Sequence, residues 1–198
     1  MKKITIILCL LFVFQTIDAN AQATDAETVT FNAILSSVLN LNVTSGDNQT
    51  ATFDTPDLYN LGIDAVGTTT VTMESTANWD LQINAADFTD DAAAIIPIDN
   101  LGVWCEATGA HTIGTEVTCT YTSLGTSLGL TNTDQMLIDN GTGNSGDATD
   151  NAFNLNWTMG TMNGSMRATS MFDQLADGTI ANLGTFTTTV NLTLTALP

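Results

Sequence analysis

The sequence predicts an all-β protein, an antiparallel immunoglobulin-like β-sandwich with an inserted hairpin and long polar loops. Three observations lead there. First, the chain closes on a strict alternation, with Phe186, Thr188, Val190, Leu192, Leu194 and Ala196 on one face and Thr187, Thr189, Asn191, Thr193 and Thr195 on the other. That period of two is the pattern of a strand with one apolar and one water-facing side. Second, similar strand signals recur roughly every ten to fifteen residues, with turn chemistry between them. Third, no long stretch carries the helical period.

Residues 1–23 read as a signal peptide and residues 24–198 as a single domain. Lys2 and Lys3 precede an apolar run from Ile4 to Phe14, and Ala21-Gln22-Ala23 supplies the small-x-small cleavage pattern. The run is too short for a membrane-spanning helix, which needs about twenty residues. The expectation is an exported protein, secreted or held at the cell surface, with no membrane insertion after cleavage. The formal net charge is −18, and cleavage would remove Lys2 and Lys3 to leave Arg167 as the only Lys or Arg. A surface so poor in cations cannot neutralise phosphates, which excludes nucleic acid as a partner. The hydrophobic share of 43% and its alternation argue against disorder.

The first strand signal covers residues 28–44, where Val29, Phe31, Ala33, Leu35, Leu39, Leu41 and Val43 share one parity. It exceeds an average strand, so a bend near Ser36-Ser37 is expected. Ser45-Gly46-Asp47-Asn48 is a turn, and Ala51 and Phe53 begin a short strand that Asp54-Thr55-Pro56 ends. Residues 57–67 are looser. Val71 and Met73, then Trp79, Leu81 and Ile83, mark the inner faces of two further strands. Residues 85–94 are acidic and Ala-rich, a loop or one helical turn. Val103-Trp104-Cys105 ends the next strand, and Val117, Cys119 and Tyr121 form its expected hairpin partner. Residues 134–150 read as a polar loop. Phe153, Leu155, Trp157 and Met159 alternate, Asn163-Gly164 is a hairpin turn, and residues 165–171 are expected to return from it as a strand. The terminal strand is expected to pair within its own domain, beside Val29–Val43.

Cys105 and Cys119 are the two cysteines left after cleavage, and an even pair in an exported chain reads as a disulfide. Its loop would contribute about 3 kcal/mol through chain entropy. Two cysteines and the single histidine, His111, do not make a zinc set. No catalytic residues are expected. His111 lies in a Gly-containing loop stretch, and the carboxylates lie mostly in turns, so neither a nucleophile–histidine pair nor a glycosidase carboxylate pair can be assembled. The stretch 139–150 is the one with calcium chemistry. Asp139, Asn140, Asn144, Asp147 and Asp150 offer oxygen ligands and the glycines let the backbone wrap. A plain polar loop is the rival reading. Trp79 and Trp157 share parity with core positions, whereas Trp104 has the opposite parity to Val103 and Cys105. Trp104 is therefore the aromatic expected outside, for contact with a glycan or another subunit.

The order of these features resembles a bacterial family. A Val-x-Phe-x-x-x-Leu-x-Leu-x-Val opening from Val29, the Trp79-Asp80-Leu81 motif followed by Asp87-Phe88, and a closing Gly-x-Phe strand from Gly184 are similar to WxL-type surface domains. They also resemble the immunoglobulin-like subunits of the spore-coat-protein-U and fimbrial kind. Asn156-Trp157-Thr158-Met159 is the candidate for a second aromatic motif. The resemblance implies a structural or adhesive protein of the bacterial surface, with self-association or other surface proteins as partners. A non-catalytic module binding polysaccharide or peptidoglycan is the alternative.

Overall fold

The computed structural model describes residues 30–198, so the signal-peptide segment lies outside the described residues. The chain divides into two units, residues 1–35 and 36–198. All the elements below belong to the second. Among the described residues the first strand of the sandwich begins at Leu39. Thr30–Leu35 carries no strand, and Phe31, Ile34 and Leu35 are 90–92% exposed.

Two antiparallel sheets make the sandwich. The larger contains β1 (Leu39–Ser45), β2 (Ile63–Ser75), β6 (Leu101–Ala107), β8 (Leu128–Gly129) and β10 (Ala152–Met159), in the order β1-β2-β10-β6-β8. The smaller contains β3 (Trp79–Ala85), β7 (Val117–Thr118), β9 (Gln135–Asn140) and β11 (Val190–Ala196), in the order β11-β3-β9-β7. A short pair, β4 (Phe88–Thr89) with β5 (Ile95–Ile96), stands beside them. Alternation dictates the filling. Val71 and Met73 of β2, Phe153 and Leu155 of β10 and Val103 of β6 meet Trp79, Leu81 and Ile83 of β3, and all are fully buried. The Trp79 and Phe153 rings pack edge to face across the sheets, 6.1 Å between centroids.

Several elements differ from the sequence-based reading, among them a short strand expected at Ala51 and Phe53, where none forms. Residues 134–150 are not all loop, because 135–140 form β9, the inner neighbour of β3. Leu81 faces Ile138 and Gln82 faces Met136, so Leu137 is an extra residue. That bulge lets the consecutive Leu137 and Ile138 both turn inward and breaks the alternation that would have marked the strand. Residues 165–171 do not return beside β10. Gly102 and Gly129 have no Cβ where Met166 packs, so the segment lies over β6 and β8. It then enters helix α2 (Met171–Ala176), capped by Ser170. Helix α1 (Pro56–Leu61) occupies the looser stretch, started by a Thr55 cap and Pro56. Finally, β11 pairs within the domain as expected, but its hydrogen-bonded partner is β3, from Val190↔Ala85 to Ala196↔Trp79, while β1 lies close to it in the other sheet.

Candidate functional site

The expected hairpin between the two cysteine-bearing segments is absent. Val117 and Thr118 pair instead with Asn140 and Asp139 of β9, in the other sheet. The chain then crosses over, and Tyr121 accepts the Cys105 backbone N–H at 2.6 Å. This corner still brings the sulfurs together. Cys119 Sγ lies 2.9 Å from Cys105 Sγ, both residues are buried, and both are free thiols. The Cys119 contact and burial push the Cys105 thiol well above its ordinary value, while the hydrogen bond with Cys105 lowers that of Cys119.

The calcium candidates do not converge. Among the described residues, no group of three or more His, Cys, Asp or Glu side chains comes together. Asn144 is fully buried and committed to Trp79. Its Oδ1 accepts the Trp79 backbone N–H at 2.9 Å, its Nδ2 donates to the Trp79 carbonyl at 2.8 Å, and its own carbonyl accepts the indole Nε1–H at 2.7 Å. Asp147 is an exposed cap, its carboxylate accepting the Thr149 and Asp150 N–H groups, which lowers its pKa. Asp150 receives the His111 N–H on its backbone carbonyl. His111 is half-buried, not an exposed loop residue, and its Nε2 is buried without a partner.

Asp139 faces Asp80 of β3 on the outside of the smaller sheet, while the Asn140 N–H donates to Asp80 Oδ1 at 3.2 Å. Burial, and then the Asp139 carboxyl beside it, raise the Asp80 pKa against the opposing Asn140 hydrogen bond. A raised carboxyl means the folded chain holds the proton more tightly than the unfolded one, so ionising it costs stability. That cost is present at neutral pH and disappears as pH falls through the raised value and below the ordinary 3.8. Asp80→Asn, which keeps the acceptor for Asn140, is expected to stabilise the protein at pH 7 by roughly 0.2–1 kcal/mol. The gain should shrink to nothing in melts below the carboxylate range. A gain that persists unchanged in acid would rule out the carboxylate pair as its source.

Trp104 is half-buried on the outer face of the larger sheet, and Trp79 and Trp157 are core residues. The row Trp104–Asn156–Thr68 crosses β6, β10 and β2, with Thr68 donating to Asn156 Oδ1 at 2.8 Å. One row along, Thr70 donates to Asn154 Oδ1 at 3.0 Å.

A feature that sequence reading missed is a cleft of about 570 Å³ on the side of the sandwich. Its floor is a second apolar cluster of Ile96, Met159, Met171 and Ile180, with Phe53, Tyr59, Phe88 and Phe186 around it. Its walls are two segments outside the named strands, residues 47–53 and 182–188. Among the described residues, 48–54 and 182–186 share no backbone hydrogen bond with another backbone group. These residues come from distant parts of the chain, so no local pattern could announce them. No helix among the described residues is long and apolar enough to cross a membrane. No family model matches the chain, and no curated protein matches it.

Proposed function

We propose that this is an exported, non-enzymatic structural protein of the bacterial surface, a subunit of a layer or fibre with a role in adhesion. The observation that carries this reading is an apolar segment left uncovered in a strongly acidic chain. Residues 28–46 contain no charged side chain although the whole protein carries −18, and Phe31, Ile34 and Leu35 within them are 90–92% exposed. Exposed apolar surface of that kind marks an interaction site. The N-terminal pattern supports export, and export supports oxidation of the Cys105–Cys119 pair to a disulfide.

Protein recovered from the medium or cell surface is expected to begin at Thr24 and to form assemblies larger than a monomer in electron microscopy and sedimentation. Uniform monomers would overturn the structural reading. If such monomers co-sediment with insoluble glycan, the second reading gains, a polysaccharide-binding module. It is favoured by Trp104, an aromatic ring half-buried on the outer face of the larger sheet, of the kind that sugars stack on. The exported chain is also expected to be lighter by two hydrogens than the reduced one. Cys105→Ser with Cys119→Ser should cost about 3 kcal/mol of stability. Two free thiols in the exported protein would sink the pairing.

A further inference from the structure

We infer that Asn163 is a site of self-modification, where the side-chain amide closes on the backbone nitrogen of Gly164 and water then opens the ring to aspartyl and isoaspartyl residues. This chemistry needs no partner and goes beyond the structural role above. The chain holds two Asn-Gly pairs, Asn140-Gly141 and Asn163-Gly164. Glycine has no Cβ to shield its nitrogen, so both pairs have the composition in which such a ring closes most readily. The fold treats them differently. The Gly141 N–H donates to the Glu116 carbonyl at 2.8 Å, and Asn140 is held at the end of β9. Among the described residues, neither the Gly164 N–H nor the Asn163 side-chain amide has a hydrogen-bond partner. The Asn163 carbonyl accepts the Met166 N–H at 3.0 Å, closing a tight turn with Gly164 at φ 56°. Asn163 is half-buried and Gly164 exposed, so water reaches the pair.

The step balances without an oxidant or a second protein. The Gly164 nitrogen gives up its proton to hydroxide and attacks Asn163 Cγ. The new N–Cγ bond replaces the Cγ–Nδ2 bond, and Nδ2 takes a proton from water and leaves as ammonia. The product is a succinimide ring. Water then adds to either ring carbonyl. Addition at Cγ breaks the new bond and leaves aspartate in an unchanged backbone. Addition at the Asn163 backbone carbonyl breaks the original peptide bond, so the chain runs on through Cγ with one extra backbone carbon. In sum, one water is consumed, one ammonia is released, and a hydroxyl takes the place of an amino group.

The longer backbone does not fit the loop it forms in. Gly164 lies so close to the 126–127 backbone that an added Cβ would stand 2.7 Å from the Ser127 nitrogen and 2.8 Å from the Thr126 carbonyl carbon. Next to it, the Ser165 N–H donates to the Ser127 carbonyl at 3.0 Å, and Ser165 Oγ accepts the Gly129 N–H at 2.9 Å. These bonds hold Met166 over Gly102 and Gly129, the pair that joins β8 to β6. An extra carbon at residue 163 shifts Ser165 and Met166 against that frame. It also brings a further negative charge to a chain of −18. The modification therefore loosens β8, the outer strand of the larger sheet, and does so irreversibly.

The test ages the purified protein in mildly alkaline buffer and maps its peptides by mass spectrometry, with isoaspartate resolved by chromatography. In the folded protein, Asn163 is expected to react at least about fivefold faster than Asn140, where the Gly141 hydrogen bond must open first. In concentrated urea the two rates should converge, because the dipeptides are the same and only the fold separates them. The rate at Asn163 should rise with pH as hydroxide does. Asn163→Gln, whose longer side chain must close a larger ring, should stay unmodified and keep its melting temperature through the incubation. Wild type should melt progressively lower. Asn163→Asp carries the charge without the extra backbone carbon, and it should melt close to fresh wild type. An Asn163 that reacts no faster than Asn140 in the folded protein would overturn the assignment. Aged wild type that melts like fresh protein would overturn the loosening of β8.

Discussion

Replacing Asn144 with alanine is expected to lower the melting temperature by roughly 6–12 °C, the shift that about 3 kcal/mol produces in a protein of this size. The energy comes from orphaned groups, not from the lost side chain. Asn144 is fully buried, and its amide holds both the N–H and the carbonyl of Trp79 at the start of β3. Removing it leaves two buried backbone groups without those partners, each costing about 1–3 kcal/mol. Trp79→Ala should cost about 3–5 kcal/mol by a different route, because it empties the centre of the core against Phe153. Asn144→Asp separates the two parts of the clamp. The new carboxyl keeps the acceptor for the Trp79 N–H, loses the donor, and sets a negative charge near a carbonyl. Its folded pKa is then raised, so the variant should approach wild-type stability below about pH 4 and fall away as pH rises. Urea melts at pH 3.5 and 7 measure this. A loss below 1 kcal/mol for Asn144→Ala would make the clamp a bystander.

Gly62→Ala is expected to be as damaging as either. Gly62 ends α1 with φ 81° and ψ −172°, a backbone region that only glycine occupies without strain. An added Cβ would lie 2.3 Å from the Gly160 carbonyl carbon and 2.4 Å from the Thr161 nitrogen. Backbone cannot yield as a flexible side chain does. Strain of about 1–3 kcal/mol therefore adds to the cost of parting α1 from the end of β10. Gly160→Ala makes the comparison sharp. Its φ is 68°, but its Cβ would meet Met171 Cγ at 2.9 Å, a side-chain atom and not backbone. It should cost less than half as much as Gly62→Ala. Equal losses in the two variants would mean that the close approach of the two backbones is not what sets the penalty.

Much of the fold was legible because the physics behind it is local. Trp79–Ile83, Phe153–Met159 and Val190–Ala196 alternate without interruption, and each is a strand with the expected face turned inward. The signals that misled were local too. Gln135–Asn140 hides its strand because the bulge at Leu137 puts neighbours on one face. Asn163-Gly164 marks a real turn, with Gly164 at φ 56°, but not where the chain goes afterwards. The opening alternation of residues 28–44 is genuine, yet only Leu39–Ser45 finds a partner strand.

The sequence by itself determined the class of the fold, since a period of two with turn residues between strands allows little else than packed antiparallel sheets. It also determined which faces are apolar, the acidic surface, and the inward place of Trp79 and Trp157. Only the tertiary structure decided which strands are neighbours. β11 chose β3, and Val117–Thr118 chose β9 over β6, because pairing depends on how whole faces fit and not on any one segment. It also decided the fate of single polar residues. Asn144 reads in sequence as one oxygen ligand among five, and in the fold its amide is used up on a tryptophan sixty-five residues away. The cleft belongs to that second kind of information. Residues 47–53 and 182–188 say nothing in isolation, and they form a cleft because the chain brings them together over an apolar floor.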